Sequence, residues 1–285
     1  HLLGLVEIDY DEADENPFYR IDSVSINGNK FGSDLTQCET YTDNSSNIIS
    51  IERGTPLSLN IKTGTCSFVD YDARMRAWID FNQNGNFEPE EQILDNLFGG
   101  FESNYEFNYS PFIPVDAVLG NTKMRIVLDG RGFEMLGTLQ APACGYYRFG
   151  ETEDFTLNIL PGSPMAYQGV SVTHPTLLDV AQGATNQAIL RIDVQTTGSI
   201  ENPLIINGFD FNTNGTTNNS DITNYILRKG SDFGSSDILV QSNNINDLIN
   251  LSVPDTLGFG RNIYWLSYDI SGAAAINNFL DAELT

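Results

Sequence analysis

The residues with the clearest potential for chemistry form one stretch, residues 80–91, which reads Asp-Phe-Asn-Gln-Asn-Gly-Asn-Phe-Glu-Pro-Glu-Glu. Oxygen-bearing side chains stand at its positions 1, 3, 5, 9 and 12, and glycine stands at position 6. This is the ligand spacing of an EF-hand-type loop, in which Ca²⁺ takes about six to eight oxygen ligands. The stretch therefore predicts a calcium site whose ligands are Asp80, Asn82, Asn84, the Asn86 carbonyl, Glu88 and Glu91.

Each position of this loop has its own task in the prediction. Gly85 permits the sharp turn, Glu88 binds directly or through water, and Glu91 closes the ligand shell with both carboxylate oxygens. The alternative is a polar hairpin loop without an ion, because Asn-Gly, here Asn84-Gly85, is also a strong hairpin signal. The match at five ligand positions and the glycine favours calcium.

The flanks of the loop indicate strands rather than helices. Residues 75–79, Met-Arg-Ala-Trp-Ile, alternate in the period of a strand, and Pro89 disfavours an uninterrupted helix after the loop. The rest of the chain has many aromatic and β-branched residues and no long helical periodicity. We therefore expect an all-β protein, with two β-sandwich domains of jelly-roll or immunoglobulin-like type in tandem.

Composition limits the partners. The 285 residues include 14 Lys and Arg against 38 Asp and Glu, a formal net charge of −24. A surface of this sign repels phosphate backbones, which excludes nucleic acid as a partner. No stretch approaches the roughly twenty apolar residues of a membrane span, so membrane insertion is not expected. The sequence begins with His1 rather than methionine and its first residues lack a signal-peptide pattern, which suggests a fragment of a larger chain.

The cysteines point to an exported protein but leave the pairing open. Cys38, Cys66 and Cys144 are an odd set, consistent with one disulfide and one free thiol, and the sequence does not select the pair. No Cys-x-x-Cys motif or Cys/His cluster exists, so a zinc site is not expected.

Composition shifts divide the chain into segments. Residues 1–20 contain an acidic run ending at Pro17 and are interpreted as a linker or the edge of a preceding module. Residues 21–160 are expected to form the first domain, 161–164 (Pro-Gly-Ser-Pro) a short linker, and 165–285 the second domain.

Three ordered landmarks in the first domain resemble the GEVED domain family: residues 78–87, residues 124–127 and, after Cys144, residues 150–155 (Gly-Glu-Thr-Glu-Asp-Phe). Thr152 and Phe155 depart from the Gly-Glu-Val-Glu-Asp-Tyr motif that names the family. Asn84 stands where many members have aspartate, which should weaken calcium binding because ligand charge tunes affinity. The resemblance implies an accessory module of secreted or surface proteins, mainly in Bacteroidetes-type bacteria.

The second half resembles the module found on the N-terminal side of BNR-repeat sialidases, on the evidence of residues 209–222, 264–271 and 280–283. The sialidase propeller is absent, so the resemblance implies no enzymatic activity. Strand-like alternation favours an immunoglobulin-like sandwich, in which Trp265 is expected to be a core residue rather than a ligand platform.

Two further acidic patterns have open readings. The first is the acidic group Glu151, Glu153 and Asp154, which would either complete an ion site or form structural ion pairs. We prefer the ion pairs, in which Glu151 or Glu153 would pair with Arg74, Arg76 or Arg125. Residues 210–221 repeat part of the calcium spacing, and we attribute this to chance in an Asn-rich loop, with a second, weaker calcium site as the alternative.

No catalytic constellation is visible. The two histidines, His1 and His174, lie in different domains, and no hydrolase or phosphate-binding motif occurs. The sequence therefore predicts a non-enzymatic, calcium-stabilised accessory region of a secreted or surface protein that binds carbohydrate for a flanking catalytic domain of the same chain. The candidate sugar-binding residues are Tyr105, Tyr109, Tyr146, Tyr147 and Arg148. A structural or adhesive spacer is the alternative, and a cryptic glycoside hydrolase a lesser one.

Overall fold

A computed structural model describes residues 19–33, 38–66, 72–99, 104–130, 141–145, 150–175 and 179–285. The chain divides after Gly162 into two compact units, called here the N-terminal and C-terminal units. Regular structure in the described residues is β-strand apart from three short 3-10 helices. Each unit is a sandwich of two sheets, so the predicted fold class of tandem β-sandwiches is confirmed.

The described residues of the N-terminal unit form nine strands. These are β1 (Tyr19–Ile26), β2 (Asn29–Gly32), β3 (Tyr41–Glu52), β4 (Leu59–Thr65), β5 (Ala73–Ile79), β6 (Gln92–Phe98), β7 (Tyr105–Tyr109), β8 (Gly120–Gly130) and β9 (Gly150–Leu160), with a 3-10 helix at Pro89–Glu91. One sheet has the order β2-β1-β4-β7 and the other β3-β9-β8-β5-β6. The β3–β9 pair is parallel, whereas the other neighbours are antiparallel.

The core of this unit follows from strand alternation. Ile61 of β4 and Ile126 and Leu128 of β8 are fully buried between the two sheets. Side chains on successive strand residues point to opposite faces, so every second residue of these strands enters the core. Burying each such side chain contributes about 1.5–3 kcal/mol, which makes this periodicity the main determinant of strand register.

In the C-terminal unit, the part of the chain that the structure describes forms eight strands. These are β10 (Ala166–Thr173), β11 (Gln187–Thr197), β12 (Ile205–Asn212), β13 (Ile222–Lys229), β14 (Asp237–Ser242), β15 (Leu248–Thr256), β16 (Gly260–Ile270) and β17 (Glu283–Leu284), with 3-10 helices at Asn219–Asp221 and Phe233–Ser235. The sheets have the orders β10-β11-β16-β13-β14 and β15-β12-β17, and neighbouring strands are antiparallel.

The central strand of the larger C-terminal sheet, β16, buries aromatic residues on both of its faces. Tyr264 and Tyr268 of β16 point into the space between the sheets, where both are fully buried. Trp265 lies on the other face and is nevertheless only 8% exposed, because its indole Nε1 donates to the Gly230 carbonyl at 2.8 Å and the Arg191 guanidinium covers its ring. It is thus a buried residue, as predicted, although it lies outside the inter-sheet core.

Among the described residues, no helix has both the length and the apolar character needed to cross a membrane.

Candidate metal centre

The loop 80–91 joins β5 to β6 and is tied to β8 at its base. The backbone N–H of Asp80 donates to the Lys123 carbonyl at 3.0 Å, and the Thr122 hydroxyl donates to the Asp80 carbonyl. Further along, the Gln83 amide donates to the Val118 carbonyl at 2.8 Å. Since β8 is an inner strand of its sheet, the loop starts from a rigid base.

The first half of the loop turns its oxygen atoms inward. The Asp80 carboxylate accepts the backbone N–H groups of Asn84 at 3.1 Å and Gly85 at 3.0 Å. The amide oxygen of Asn82 accepts the N–H of Asn84 at 2.9 Å, and that of Asn84 accepts the N–H of Asn86 at 2.8 Å. The turn requires a left-handed backbone at Gly85, where φ is +84° and glycine carries no steric penalty.

The second half brings two glutamates to the same loop. Glu91 accepts the backbone N–H groups of Asn82 and Glu88, each at 3.2 Å, through its two carboxylate oxygens. The Glu88 carboxylate accepts the side-chain amide groups of Asn82 at 3.1 Å and Asn84 at 2.7 Å. Glu91 lies in the three-residue 3-10 helix that begins at Pro89 and is followed directly by β6, so no long helix leaves the loop.

The two glutamates differ in their ionisation. Burial raises the pKa of Glu91 to about 7, and the neighbouring Glu88 carboxylate adds to this effect. The hydrogen bond from Asn84 lowers the pKa of Glu88 below its usual value. The loop therefore combines one readily ionised carboxylate with one that resists ionisation.

The predicted ligands can be compared with this geometry. The loop brings together the side chains of Asp80, Asn82, Asn84, Glu88 and Glu91, whereas the structure links Asn86 to them through its backbone N–H. No group of three or more His, Cys, Asp or Glu side chains within the described ranges could hold a metal by itself. An ion here would depend on the asparagine amide oxygens and backbone carbonyls as well, and an all-oxygen set suits Ca²⁺ better than zinc.

The acidic stretch of β9 divides its side chains between the two faces of the sheet. Glu151 points toward β1 and accepts the Ile21 N–H at 2.7 Å. Glu153 accepts the Asn44 amide at 3.0 Å and the Ser33 hydroxyl at 3.3 Å. Burial raises the pKa of Glu151 to about 7. Burial, together with the nearby charge of Glu151, raises the pKa of Glu153 to about 8.

The predicted ion pairs of these two glutamates are wrong. Arg125 instead pairs with Asp154, with two N–H···O contacts of 2.6 Å, and Arg74 and Arg76 pair with Asp95. The reason is strand alternation, since Asp154 shares the outer face with its cross-strand partner Arg125, whereas Glu151 shares the inner face with the core residues of β9.

Arg125 also connects β9 to the candidate loop. Its guanidinium lies 5.7 Å from the centroid of the Phe87 ring, and Phe87 packs against Trp78 with ring centroids 6.4 Å apart. Sequence reasoning missed this contact, although the apolar Phe87 among acidic loop residues was the available signal. The outer half of the loop is therefore anchored on a buried ion pair.

Of the candidate sugar-binding residues, the structure describes Tyr105 and Tyr109. Both are half-buried on the core side of β7, and the Asn96 amide donates to the Tyr109 hydroxyl at 2.9 Å. Tyr105 packs against Phe98 with centroids 5.0 Å apart. Tyr146, Tyr147 and Arg148 lie outside the described residues.

The cysteine pairing, which the sequence left open, is Cys38–Cys66, with Cα atoms 6.0 Å apart. Cys144 is free and exposed, and the Arg125 guanidinium lies 3.8 Å from its sulfur atom.

The second calcium-like spacing does not close on its twelfth residue. Asn212 and Asn214 both donate side-chain amide groups to Glu283, at 3.2 and 3.0 Å. Asp221 is buried and instead accepts the Ala275 N–H at 3.2 Å and the Asn278 amide at 2.6 Å. Asp221 thus holds the segment before β17 in place.

Comparisons with known proteins provide little beyond one family. No curated protein sequence matches the chain. The CARDB domain of a Pyrococcus furiosus protein, solved in complex with di-metal ions, has 9% identity and a TM-score of 0.27 and covers 52% of this chain and 96% of its own. A two-domain protein of unknown function from Bacteroides fragilis has 9% identity and a TM-score of 0.24 and covers 93% of each chain.

Neither of these two structures supports an argument about activity. Nothing in the comparisons supports the resemblance of residues 164–285 to a sialidase-associated module, which stays a prediction. The family comparison does support the other resemblance. Residues 74–158, which include the candidate loop, β8 and the acidic stretch of β9, match the GEVED domain family.

Proposed function

We propose that the N-terminal unit is a non-catalytic accessory module in which Ca²⁺, held by the loop 80–91, stabilises one corner of the sandwich. The observation that carries this proposal is a pair of buried carboxylates without a cationic partner. Asp80 and Glu91 are each 4% exposed, and within the described residues neither accepts a hydrogen bond from Lys or Arg. A buried carboxylate without a cationic partner either keeps its proton, which agrees with the raised pKa of Glu91, or coordinates a metal.

The remaining donors of the loop favour calcium among metals. Glu88 lies within hydrogen-bond distance of both Asn82 and Asn84, so a third carboxylate stands next to the two amide groups. A divalent cation would neutralise these carboxylates together, and its binding free energy would add to the stability of the folded unit. The role assigned to the ion is structural, and the match to an accessory-type family fits that role.

A secreted or surface location accompanies this proposal. The Cys38–Cys66 disulfide is of a kind that persists in oxidising compartments. A net charge of −24 suits a protein that must remain soluble outside the cell and attract cations.

Thermal unfolding with and without calcium tests the proposal. With Ca²⁺ at about 100 times its dissociation constant, the free energy of unfolding should rise by about 2.7 kcal/mol, and excess chelator should remove the gain. Glu91→Gln should abolish the calcium-dependent rise in melting temperature. Glu90→Gln is the matched control, because Glu90 is an exposed neighbour of the same charge, and it should retain most of the rise.

Two outcomes would contradict the proposal. A melting temperature that does not respond to either calcium or chelator would exclude a stabilising ion. An equal response in wild type and Glu91→Gln would exclude this loop as its site.

Carbohydrate binding for a flanking catalytic domain is the second candidate function. It is favoured by the aromatic row Tyr105, Phe107 and Tyr109 on the edge strand β7, in which successive rings are 5.9 and 6.0 Å apart and all are partly exposed. Aromatic rings of this kind combine apolar area with a polar tip. The packing against Phe98 and the hydrogen bond from Asn96 also make these residues part of the fold.

A glycan array separates this candidate from the spacer alternative. Saturable binding that is lost in Tyr105→Ala, in a variant whose melting temperature is unchanged, would support sugar recognition. Silence across neutral and charged glycans would favour a structural or adhesive spacer, which needs calcium but no sugar.

A further inference from the structure

Two glutamates of β9 are buried and lie outside the loop 80–91. Glu151 and Glu153 are each 1% exposed. They stand two residues apart on the face of β9 that also carries the core residues Phe155 and Leu157. A carboxyl group in such a core is costly unless hydrogen-bond donors surround it.

The two oxygens of Glu151 contact different elements. One accepts the backbone N–H of Ile21 in β1 at 2.7 Å, and the other accepts the hydroxyl of Thr42 in β3 at 2.9 Å. β1 belongs to one sheet of the N-terminal unit and β3 to the other. Glu151 therefore joins the two sheets at this end of the sandwich.

Glu153 adds two contacts at the same end. Its oxygens accept the hydroxyl of Ser33, which follows β2, at 3.3 Å and the side-chain amide of Asn44 in β3 at 3.0 Å. All four carboxyl oxygens of the pair thus have a donor, and within the described residues none of these donors is a Lys or Arg side chain. Uncharged donors alone hold β1, the end of β2 and the start of β3 on β9.

The elements packed against the pair supply no compensating positive charge. The β8 residues in register with the two glutamates are Ile126 and Leu128, both apolar. From β2, Phe31 packs against Phe155 with ring centroids 5.1 Å apart, so its neighbour Lys30 lies on the opposite, exposed face.

The negative charges near the pair oppose its ionisation. Asp22 of β1 and Glu39, which precedes β3, both act on Glu151. Arg20 of β1 pairs with Asp22 at 2.6 Å. Ionisation of both glutamates would therefore combine the loss of hydration with mutual repulsion on one buried face. The raised pKa values of the two groups agree with this arrangement.

A chain of hydrogen bonds connects the pair to solvent. The Thr42 hydroxyl lies 2.9 Å from the Glu151 carboxyl group and 3.3 Å from the carboxylate of Glu39. Glu39 is exposed. A proton can therefore pass between the buried pair and water through Thr42.

The start of β3 is structurally separate from the rest of the strand. The pairing of β3 with β9 has a register shift between Asn44 and Ile48, so residues 41–44 form their own short ladder with residues 152–155. The disulfide Cys38–Cys66 limits how far this segment can move.

Only the inner contacts of this segment depend on the two glutamates. On the outer face the Tyr41 hydroxyl donates to Asp154 at 3.1 Å. Burial raises the pKa of Tyr41 to about 12, so this bond is present at neutral and mildly alkaline pH.

We propose that Glu151 and Glu153 form a proton-dependent latch that holds residues 41–44 and the adjoining end of β1 closed on β9. While the pair retains a proton, its hydrogen bonds to both sheets are kept. Loss of both protons places two like charges on one buried face, and residues 41–44 open so that water can hydrate the carboxylates.

Amide hydrogen exchange of the full chain at about pH 6 and about pH 9 tests the proposal, with protection factors that correct for the intrinsic exchange rate. In wild type the protection of residues 41–44 should fall by about tenfold or more from the lower to the higher pH. β5 should remain better protected than residues 41–44 at the higher pH, because the opening is local. β16 lies in the other unit and should keep its protection.

Glu153→Gln removes one ionisable group of the latch. Because an amide cannot ionise in this range, the variant should reduce the pH-dependent fall by about tenfold or more. Glu106→Gln is the matched control, since Glu106 is an exposed glutamate on β7 of the same unit, and it should show the same fall as wild type.

A carbon NMR titration of wild type does not depend on how any variant folds. The carboxyl signals assigned to Glu151 and Glu153 should titrate above the usual range of glutamate. The exchange of residues 41–44 should increase over the same pH interval.

The proposal is overturned if residues 41–44 have the same protection at both pH values. Equal protection of residues 41–44 and β5 at the higher pH would also overturn it, because opening would then be global. The same holds if Glu153→Gln behaves as wild type, if Glu106→Gln removes the fall, or if both carboxyl signals titrate in the usual range.

Discussion

Loss of the Asp154 carboxylate should destabilise the N-terminal unit far more than loss of an equally well-bonded carboxylate at the surface. The Arg125 side chain is 3% exposed and that of Asp154 is 13% exposed, and both N–H···O contacts are 2.6 Å long. Asp154 also accepts the Tyr41 hydroxyl at 3.1 Å. In Asp154→Ala the Arg125 guanidinium stays buried without its carboxylate, and this kind of change costs about 3–5 kcal/mol.

The more exposed ion pair Arg74–Asp95 is the reference against which the stability contributed by Arg125–Asp154 is compared. It has the same two-contact geometry, with distances of 2.7 Å, but its side chains are 28% and 33% exposed. Solvent screening reduces the value of such a pair to about 0–1 kcal/mol, so Asp95→Ala should be mild. The difference in burial, rather than in hydrogen-bond geometry, should separate the two variants by several kcal/mol.

Urea unfolding followed by tryptophan fluorescence measures these effects on the stability of the N-terminal unit. The chain has two tryptophans, Trp78 in the N-terminal unit and Trp265 in the C-terminal unit, so a Trp265→Phe background reports on Trp78 alone. The double variant Arg125→Met with Asp154→Leu should recover most of the loss, because it removes both buried charges together. The reasoning is refuted if Asp154→Ala costs no more than Asp95→Ala, or if the double variant is as unstable as the two single losses added.

Three further predictions concern other parts of the chain. The pKa values of Glu151 and Glu153 are raised to about 7 and about 8, above the value of 4.5 expected in the unfolded chain. The stability that their neutral forms contribute is therefore complete below about pH 4.5 and is lost as the pH rises toward 8. Glu153→Gln should reduce this loss of stability, measured as the free energy of unfolding against pH. Replacing Cys38 and Cys66 by serine should cost about 3.5 kcal/mol of unfolding free energy, as loop-closure entropy predicts for a sequence separation of 28 residues. Asp221→Ala should cost about 1–3 kcal/mol and speed the hydrogen exchange of residues 271–279, because two partly buried hydrogen bonds to the Asp221 carboxylate are lost.

Each of these predictions has a matched control. Glu90→Gln changes an exposed glutamate and should leave the pH profile as in wild type. Cys144→Ser removes the exposed free cysteine and should leave stability unchanged. Asp179→Ala changes an exposed aspartate and should not affect exchange in residues 271–279. A control that behaves like its test variant would show that the effect does not come from the contact named.

The sequence was sufficient to predict features that depend on local spacing. Alternation in residues 75–79 predicted a strand that the structure contains as β5, because burial of every second side chain determines which face enters the core. The spacing of oxygen-bearing residues from Asp80 to Glu91 predicted a compact turn. The Asp80 carboxylate closes this turn within six residues by accepting the backbone N–H groups of Asn84 and Gly85.

Long-range partners were decided by the tertiary structure alone. The sequence could not select Asp154 over Glu151 or Glu153 for Arg125, because the choice depends on the register of β8 against β9. It could not pair Cys38 with Cys66 for the same kind of reason.

The edge position of β10 has a similar origin. The composition of β10 was visible in the sequence, but its position at a sheet edge was not. That position, and the placement of Val170 and Val172 on the core face, depend on how eight strands distant in sequence are ordered in two sheets. Local sequence thus determined which side chains a turn or a strand face presents. Sheet order and register determined which of them meet, because those contacts join residues that lie far apart along the chain.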